Sequence, residues 1–100
     1  MLGLARRAGK LSMGHDTALD SVRKGRAKLI VFASDISKRV VDEFEREASR
    51  TPCVKISETI DEIFFSLGYK AGVLTVNDEN FASRITELIN QEVNVYDGEN

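Results

Sequence analysis

Two glycine-flanked segments carry the residue types that bind phosphates and bases. Gly14 precedes a predicted helix, so backbone N–H groups and the positive end of that helix can face an anion. The loop Gly68-Tyr69-Lys70-Ala71-Gly72 precedes a predicted strand and contributes one aromatic ring and one cation. If the two loops meet at one edge of a sheet, they form a small cationic cleft in which RNA bases stack and hydrogen-bond. We expect Arg6, Arg7 and Lys10 to border that cleft.

The side chains that catalysis requires are scarce. The single histidine, His15, is the only candidate base, and no Gly-x-Ser-x-Gly motif accompanies it. Asp16 is expected on a different face of the helix, which favours a solvent-facing or helix-capping histidine. The spacing from Gly9 to Gly14 is that of a phosphate-binding loop, but His and Asp stand where such a loop has Lys and Ser or Thr. The sequence therefore predicts no enzyme and no cofactor.

The composition is typical of one globular domain. The 100 residues are 42% apolar and carry a formal net charge of −2. One cysteine and one histidine exclude an internal disulfide and a Cys/His zinc site. No apolar run approaches the ~18 residues that cross a bilayer, and the N-terminus lacks the apolar block of a signal peptide. We therefore expect a reduced, cytoplasmic protein with no membrane partner.

Charge is unevenly distributed along the chain. Residues 1–40 hold nine cations against three anions, and residues 41–100 hold five cations against thirteen anions. If the two parts stay separate after folding, the basic one is suited to a polyanionic partner. If they interleave, the charges are ordinary solvated surface. The charge pattern alone favours interleaving, because the whole chain lacks the basic character usual for nucleic-acid binders.

Hydrophobic periodicity predicts helices that alternate with strands. Apolar residues recur at helical spacing in five segments, and short apolar runs between them predict four strands. This alternation indicates an α/β sandwich with helices on both faces of a largely buried sheet. The predicted helices cover 2–8, 14–25, 35–48, 57–68 and 77–92, and the predicted strands cover 10–13, 29–33, 53–56 and 73–76.

Polar residues mark the predicted helix starts. Asp35 or Ser37 is suited to cap the third helix, and Asn77 with Asp78 begins the fifth. The periodicity ends near Glu92. We therefore expect a single domain over 1–92 and a frayed tail over 93–100.

Five segments share their residues with one known family: Leu2-Gly-Leu-Ala-Arg-Arg-Ala-Gly-Lys-Leu11, Gly14, Lys24-Gly-Arg-Ala-Lys-Leu29, Ala33-Ser-Asp-Ile-Ser37, and Gly68 to Phe81. Together they resemble the ribosomal protein L-seven-Ae family, and the opening segment resembles its bacterial YlxQ-like members. The resemblance spans about residues 2–90. It implies a three-layer α/β/α sandwich around a four-stranded mixed sheet. It also implies a non-enzymatic RNA-binding protein whose partner is ribosomal or other structured, kink-turn-like RNA, with the ribosome or translation factors as further partners.

The resemblance also implies which residues contact RNA. In kink-turn binders the helix start reads Gly-x-Asn-Glu-x-x-Lys, and its polar side chains contact the guanines of sheared G·A pairs. Placing this pattern on Gly14 puts Asp16 at the Asn, Thr17 at the Glu and Asp20, an anion, at the Lys. Asp16 is suited both to accept a hydrogen bond from a guanine and to cap the helix. The expected RNA-binding residues are Arg6, Arg7, Lys10, Gly14, His15, Asp16, Thr17, Lys38, Arg39, Tyr69, Lys70 and Gly72, the arginines and Lys38 as phosphate contacts.

A second hypothesis is a protein-interaction module on the same fold that has lost kink-turn recognition. Its support is the excess of anions after residue 40, which would form the docking face, and the replaced polar residues after Gly14. The two hypotheses differ in their salt dependence, because binding through phosphates weakens as salt rises.

Overall fold

The strands form one mixed sheet between two helical layers. The computed structural model describes the backbone of residues 1–98 and the side chains of residues 1–90. The sheet order is β1-β4-β2-β3, with β2 and β3 parallel and β4 antiparallel to both of its neighbours. The predicted order of elements and the mixed sheet are confirmed in this part of the chain. The strands are β1 Leu11–Met13, β2 Leu29–Phe32, β3 Cys53–Lys55 and β4 Val73–Val76, and the helices are α1 Leu2–Arg7, α2 His15–Arg23, α3 Lys38–Ala48, α4 Ile60–Leu67 and α5 Glu79–Gly98.

The two central strands, β2 and β4, carry the core because both of their faces are covered. Every residue of both strands is buried. Alternate side chains point to opposite faces, so Ile30 and Phe32 pack with α2 and α3. Leu29 and Val31 pack instead on the face that α1, α4 and α5 cover. This arrangement is the predicted three-layer α/β/α sandwich, and it explains why the β2 segment is continuously apolar.

Side chains at the helix starts decide between the predicted caps. The hydroxyl of Ser37 accepts a backbone N–H from the first turn of α3, at 3.4 Å. Asp35 caps a different helix, because its carboxylate accepts the N–H of Ile60 in α4 at 2.9 Å. The start of α4 also has a capping box formed by Thr59 and Glu62. The loop after β2 is therefore attached to the start of α4.

A buried polar network joins β1, β4 and α2. The side-chain amide of Asn77 donates to Ser12 Oγ at 2.8 Å. Its side-chain oxygen accepts from the hydroxyls of Ser21 at 2.7 Å and Thr75 at 2.9 Å, both of which are buried. Asn77 thus satisfies hydroxyls that packing removes from water, whereas Asp78 caps α5 by accepting a backbone N–H at 3.0 Å.

The last helix continues past the position at which the sequence periodicity ends. The bounds of α5 are Glu79–Gly98. The tail predicted over 93–100 falls outside the residues whose side chains are described, and it stays a prediction. Among the described residues, none of the helices combines the length and the apolar character that a bilayer crossing needs. The same part of the chain holds no group of three or more side chains placed to bind a metal ion.

We expect Asn77→Ala to lower the free energy of unfolding by about 2–4 kcal/mol, because each buried hydroxyl left without a partner costs roughly 1–3 kcal/mol. Urea denaturation followed by circular dichroism measures the loss. Asn90, exposed on α5, provides a matched control, and Asn90→Ala should stay within about 0.5 kcal/mol of the wild type. Equal losses in the two variants would show that the network does not stabilise the fold.

Candidate functional site

The two glycine-flanked loops meet at one edge of the sheet. The N–H of Gly14 donates to the carbonyl of Val73, the first residue of β4, at 3.0 Å. A Cβ added at Gly14 would lie 3.6 Å from Oη and 3.7 Å from Cε1 of Tyr69, so this ring lies beside the backbone of Gly14. Gly14 has φ +93°, which residues with side chains rarely adopt. The turn therefore requires glycine, and the expected meeting of the two loops is observed.

Arg6 connects α1 to the same place. Its Nη1 donates to the carbonyl of Leu67, the last residue of α4, and its Cζ lies 6.0 Å from the centre of the Tyr69 ring. Carbonyls at a helix end lack partners within the helix, so Arg6 satisfies one of them. Gly68 then ends α4 in the left-handed conformation. We call the surface formed by Arg6, Gly14, Gly68 and Tyr69 the Gly14–Tyr69 cleft.

His15 joins the start of α2 to α3. Its Nε2 lies 2.7 Å from Oε1 of Glu43, and its Nδ1 lies 2.9 Å from Oδ1 of Asp16. The ring also meets the edge of Phe44, with 5.6 Å between ring centres. The hydrogen bond to Glu43 and then that to Asp16 raise the pKa of His15, against a smaller effect of burial. The bond to His15 in turn lowers the pKa of Glu43.

Of the two alternatives expected for His15, the solvent-facing one is observed, since 42% of its side chain is exposed although its ring also bonds to α3. His15 does not cap α2. The two expectations for Asp16 are wrong. Asp16 was expected on another face of the helix and as a possible cap, yet it bonds to the ring of His15, and no side chain caps α2. The physical reason is that His15 is the first residue of α2, so no preceding helical turn restricts the direction of its ring, and the ring can reach the side chain of Asp16.

Two of the predicted RNA-binding residues do not contribute to the surface of the cleft. Lys10 is at the other end of β1, because its carbonyl accepts the N–H of Asn77, the residue after β4. Gly72 is packed beneath other side chains, since a Cβ there would meet Ile36 and would lie 3.2 Å from Cδ1 of Ile60. The position of Gly72 thus favours a packing role, and the cleft does not include Lys10.

Five other predicted residues are exposed: Arg7 on α1, Thr17 on α2, Lys38 and Arg39 at the start of α3, and Lys70 after α4. Lys70 lies 3.8 Å from a carboxylate oxygen of Asp61. Within residues 1–90, Arg7, Lys38 and Arg39 take part in no ion pair. These three cations are therefore open to an anionic ligand.

The basic and acidic parts of the chain interleave after folding. Arg23 of α2 bonds to Glu47 of α3 at 2.6 Å, and His15 of α2 lies 2.7 Å from Glu43 of α3. Within the basic part itself, Lys24 lies 3.1 Å from Asp20. The carboxylates of α3 lie on one face of the sheet, whereas those of α4 and α5 lie on the other. The anions after residue 40 therefore form no single docking face, and Asp20 has a cation beside it.

Sequence reasoning missed two features of this region. Glu43 and Phe44 hold His15 from a different helix, and no spacing in the sequence links them to it. The other feature is the apolar surface of α4, the helix that ends at Gly68 of the cleft, where Phe65 is 87% exposed. Among the described residues, the exposed large apolar side chains all lie on α1, on α4 or next to them: Met1, Leu4, Phe64, Phe65 and Tyr69.

Curated relatives match most of the chain. It is 31% identical to RNA-binding protein YlxQ of Enterococcus faecium, covering 89% of this chain and 87% of the relative. It is 30% identical to RNA-binding protein YlxQ of Bacillus subtilis, with 89% and 91% covered. Large ribosomal subunit protein eL30 of Eremothecium gossypii is also 30% identical, with 87% of each chain covered.

Solved structures share the fold at lower identity. A Bacillus halodurans protein of unknown function superimposes with a TM-score of 0.82 at 23% identity, covering 89% of this chain and 92% of that one. A 15.5 kD RNA-binding protein of Giardia lamblia gives a TM-score of 0.70 at 16% identity, with 94% and 82% covered. Residues 1–58 match the family model described as Ribosomal protein L7Ae/L30e/S12e/Gadd45. The chain therefore belongs to the Ribosomal protein L7Ae/L30e/S12e/Gadd45 family.

Proposed function

We propose that this protein is a non-enzymatic, ribosome-associated RNA-binding protein that holds a bent, kink-turn-like RNA in the Gly14–Tyr69 cleft. The observation that carries the proposal is the approach of the Tyr69 ring to the backbone of Gly14, with Arg6 against the same ring. The names of the two YlxQ relatives support an RNA-binding role, and the name of eL30 supports an association with the ribosome.

The start of α2 supplies hydrogen-bond donors to the proposed site. The N–H groups in the first turn of a helix have no partners within the helix, and in α2 no side chain caps them either. Such groups, together with the positive end of the helix, bind phosphates or the acceptor edges of bases. Gly14 allows the Tyr69 ring to lie beside the helix start because it carries no side chain there.

The ring of Tyr69 supplies the stacking surface. It is 48% exposed, and unpaired RNA bases bind proteins largely by stacking on such rings. Arg7, Lys38 and Arg39 would hold phosphates on either side of the cleft, because phosphate contacts need charge and reach more than exact geometry. The site as proposed recognises RNA shape more than RNA sequence.

A second candidate function is protein interaction, and the exposed rings of α4 favour it. Phe64 and Phe65 lie next to each other, with 6.3 Å between ring centres. Leu4 on α1, which packs against α4, is exposed as well. Exposed apolar side chains of this kind are what partner proteins cover. This candidate replaces the acidic docking face that the sequence suggested, since the anions are distributed over both layers.

We expect the protein to bind a kink-turn hairpin with an affinity that falls as salt rises. Each phosphate contact adds about 0.7–0.9 to the slope of log K against log salt, so three contacting cations give a slope of about 2–3. Fluorescence anisotropy at several KCl concentrations measures it. The control hairpin has Watson–Crick pairs in place of the sheared G·A pairs. Equal binding to both hairpins would contradict kink-turn recognition, and no binding to either or to ribosomal RNA would contradict the RNA function.

The variant Asp20→Lys should tighten hairpin binding about fivefold, corresponding to ~1 kcal/mol, because it replaces an anion with a cation near the phosphates. Glu87→Lys makes the same change of charge on α5, on the opposite face of the sheet, and it should have a much smaller effect. Anisotropy at fixed salt compares the two. Unchanged or weaker binding by Asp20→Lys would show that the residues after Gly14 do not occupy the family's contact positions.

The second candidate predicts a partner protein that the wild type retains after ribonuclease treatment and that Phe65→Ser loses. Phe65 is largely exposed, so this substitution should change the free energy of unfolding by less than about 0.5 kcal/mol. Affinity capture followed by mass spectrometry, with Ser66→Ala as the control, measures retention. Loss of the captured protein on ribonuclease treatment of the wild type would argue against protein interaction.

A further inference from the structure

His15 has a negatively charged partner on each nitrogen of its ring. Glu43 Oε1 lies 2.7 Å from Nε2, and Asp16 Oδ1 lies 2.9 Å from Nδ1. Neutral imidazole carries one N–H and one lone pair, so it can donate to only one of these carboxylates. The imidazolium donates to both. The geometry therefore fits the protonated ring better than either neutral tautomer.

The charged groups around the ring come from two helices. Asp16 belongs to α2 itself, Glu43 belongs to α3, and the α3 residue that contacts the ring directly, Phe44, is uncharged. The strands β1 and β4, which also pack against α2, contain no titratable residue. Arg46 and Arg23 act on Glu43 from a greater distance and help keep it ionised. The two carboxylates thus dominate the surroundings of His15.

We propose that His15 is a proton-dependent positioning residue of the RNA site, which ties α2 to α3 and neutralises Asp16 when protonated, so that RNA is bound more tightly at low pH. The inference rests on the proposed RNA-binding function. His15 directly follows Gly14, so its charge lies at the helix start that faces the phosphates. When the proton leaves, the carboxylates of Asp16 and Glu43 are no longer compensated and repel the RNA.

The direction of the pH dependence follows from the two pKa values. The pKa of His15 is raised above its ordinary 6.5, so the stabilisation by the bridge is complete below about 6.5 and is lost as pH rises through the raised value. The pKa of Glu43 is lowered from its ordinary 4.5, so its part is lost as pH falls through that lowered value. The bridge is therefore intact between about pH 4.5 and 6.5 and weakens on the alkaline side.

The test uses the fact that the chain contains one histidine. Its imidazole signals in an NMR titration of the free protein report His15 alone, and we expect a midpoint above 6.5 that falls towards 6.5 in Glu43→Gln. In parallel, the affinity for the kink-turn hairpin should weaken about fivefold from pH 6 to pH 8.5, in a step that begins near the NMR midpoint of the free protein. In Glu43→Gln the midpoint of binding should move together with the NMR midpoint.

Two further variants isolate the role of His15. His15→Gln keeps a polar side chain but cannot gain a proton, so its hairpin affinity should show no step between pH 6 and 8.5. Glu47→Gln removes a carboxylate from the next turn of α3, where it bonds to Arg23 and not to His15. It should leave both midpoints unchanged.

The outcomes separate this inference from the proposed function. A wild-type NMR midpoint at or below 6.5, or hairpin binding with no pH step, overturns the role of His15 while RNA binding stands. An equal step in His15→Gln and the wild type also overturns it. Failure to bind the hairpin at either pH overturns the proposed function itself.

Discussion

The central position of β4 is the constraint on which the rest of the structure depends. This strand pairs antiparallel with β1 on one side and with β2 on the other. The end of β1 and the end of β2 must therefore lie beside the start of β4. Hydrogen bonds from Gly14 to Val73 and from Ala33 to Gly72 fix this edge. Loops that are far apart in the sequence become neighbours because β4 is inserted between two strands that precede it in the chain.

The residues of the cleft also maintain the fold, which limits how they can change. Arg6 satisfies a carbonyl at the end of α4, and Gly14 holds a left-handed turn that opens α2. A site assembled from such residues is rigid, because moving any of them would expose a helix end or strain a turn. This rigidity suits a ligand that is recognised by its shape, since less freedom is lost on binding.

The sequence predicted the elements well, since apolar periodicity reflects which faces are covered. The segment 29–32 reads as a central strand because each of its side chains is buried on one face or the other. It also suggested that the loops at Gly14 and at Gly68 to Gly72 could meet at one edge of the sheet, and the structure adds the contact between Gly14 and Tyr69. Lys10 was expected at the cleft because only four positions separate it from Gly14 in the sequence. Those positions form the strand β1, in which the chain advances ~3.3 Å per residue, so Lys10 and Gly14 lie at opposite ends of the strand.

The side-chain pairings could not be predicted, since they join elements with no pattern in common. Asp35 and Ser37 are both good caps by type, and only the packing of α4 against the loop after β2 assigns each to its helix. His15 and Glu43 are 28 positions apart and meet because α2 and α3 lie side by side on the same face of the sheet. Periodicity places a helix on a face but does not give its neighbours or its rotation.

The contacts of Tyr69 restrict how a base can be held in the proposed complex. One side of the ring meets Gly14, and the guanidinium of Arg6 lies within cation–π distance. An RNA base is therefore left with the exposed part of the ring, where it would stack without displacing either contact. One N–H of Arg6 is used by the carbonyl of Leu67, but the positive charge of the guanidinium stays beside the ring of Tyr69. A base stacked on this ring would therefore have a cation close to its own phosphate. In the proposed complex the cleft thus offers stacking and charge together, and the acidic side chains that follow Gly14 would limit how close the RNA backbone can come.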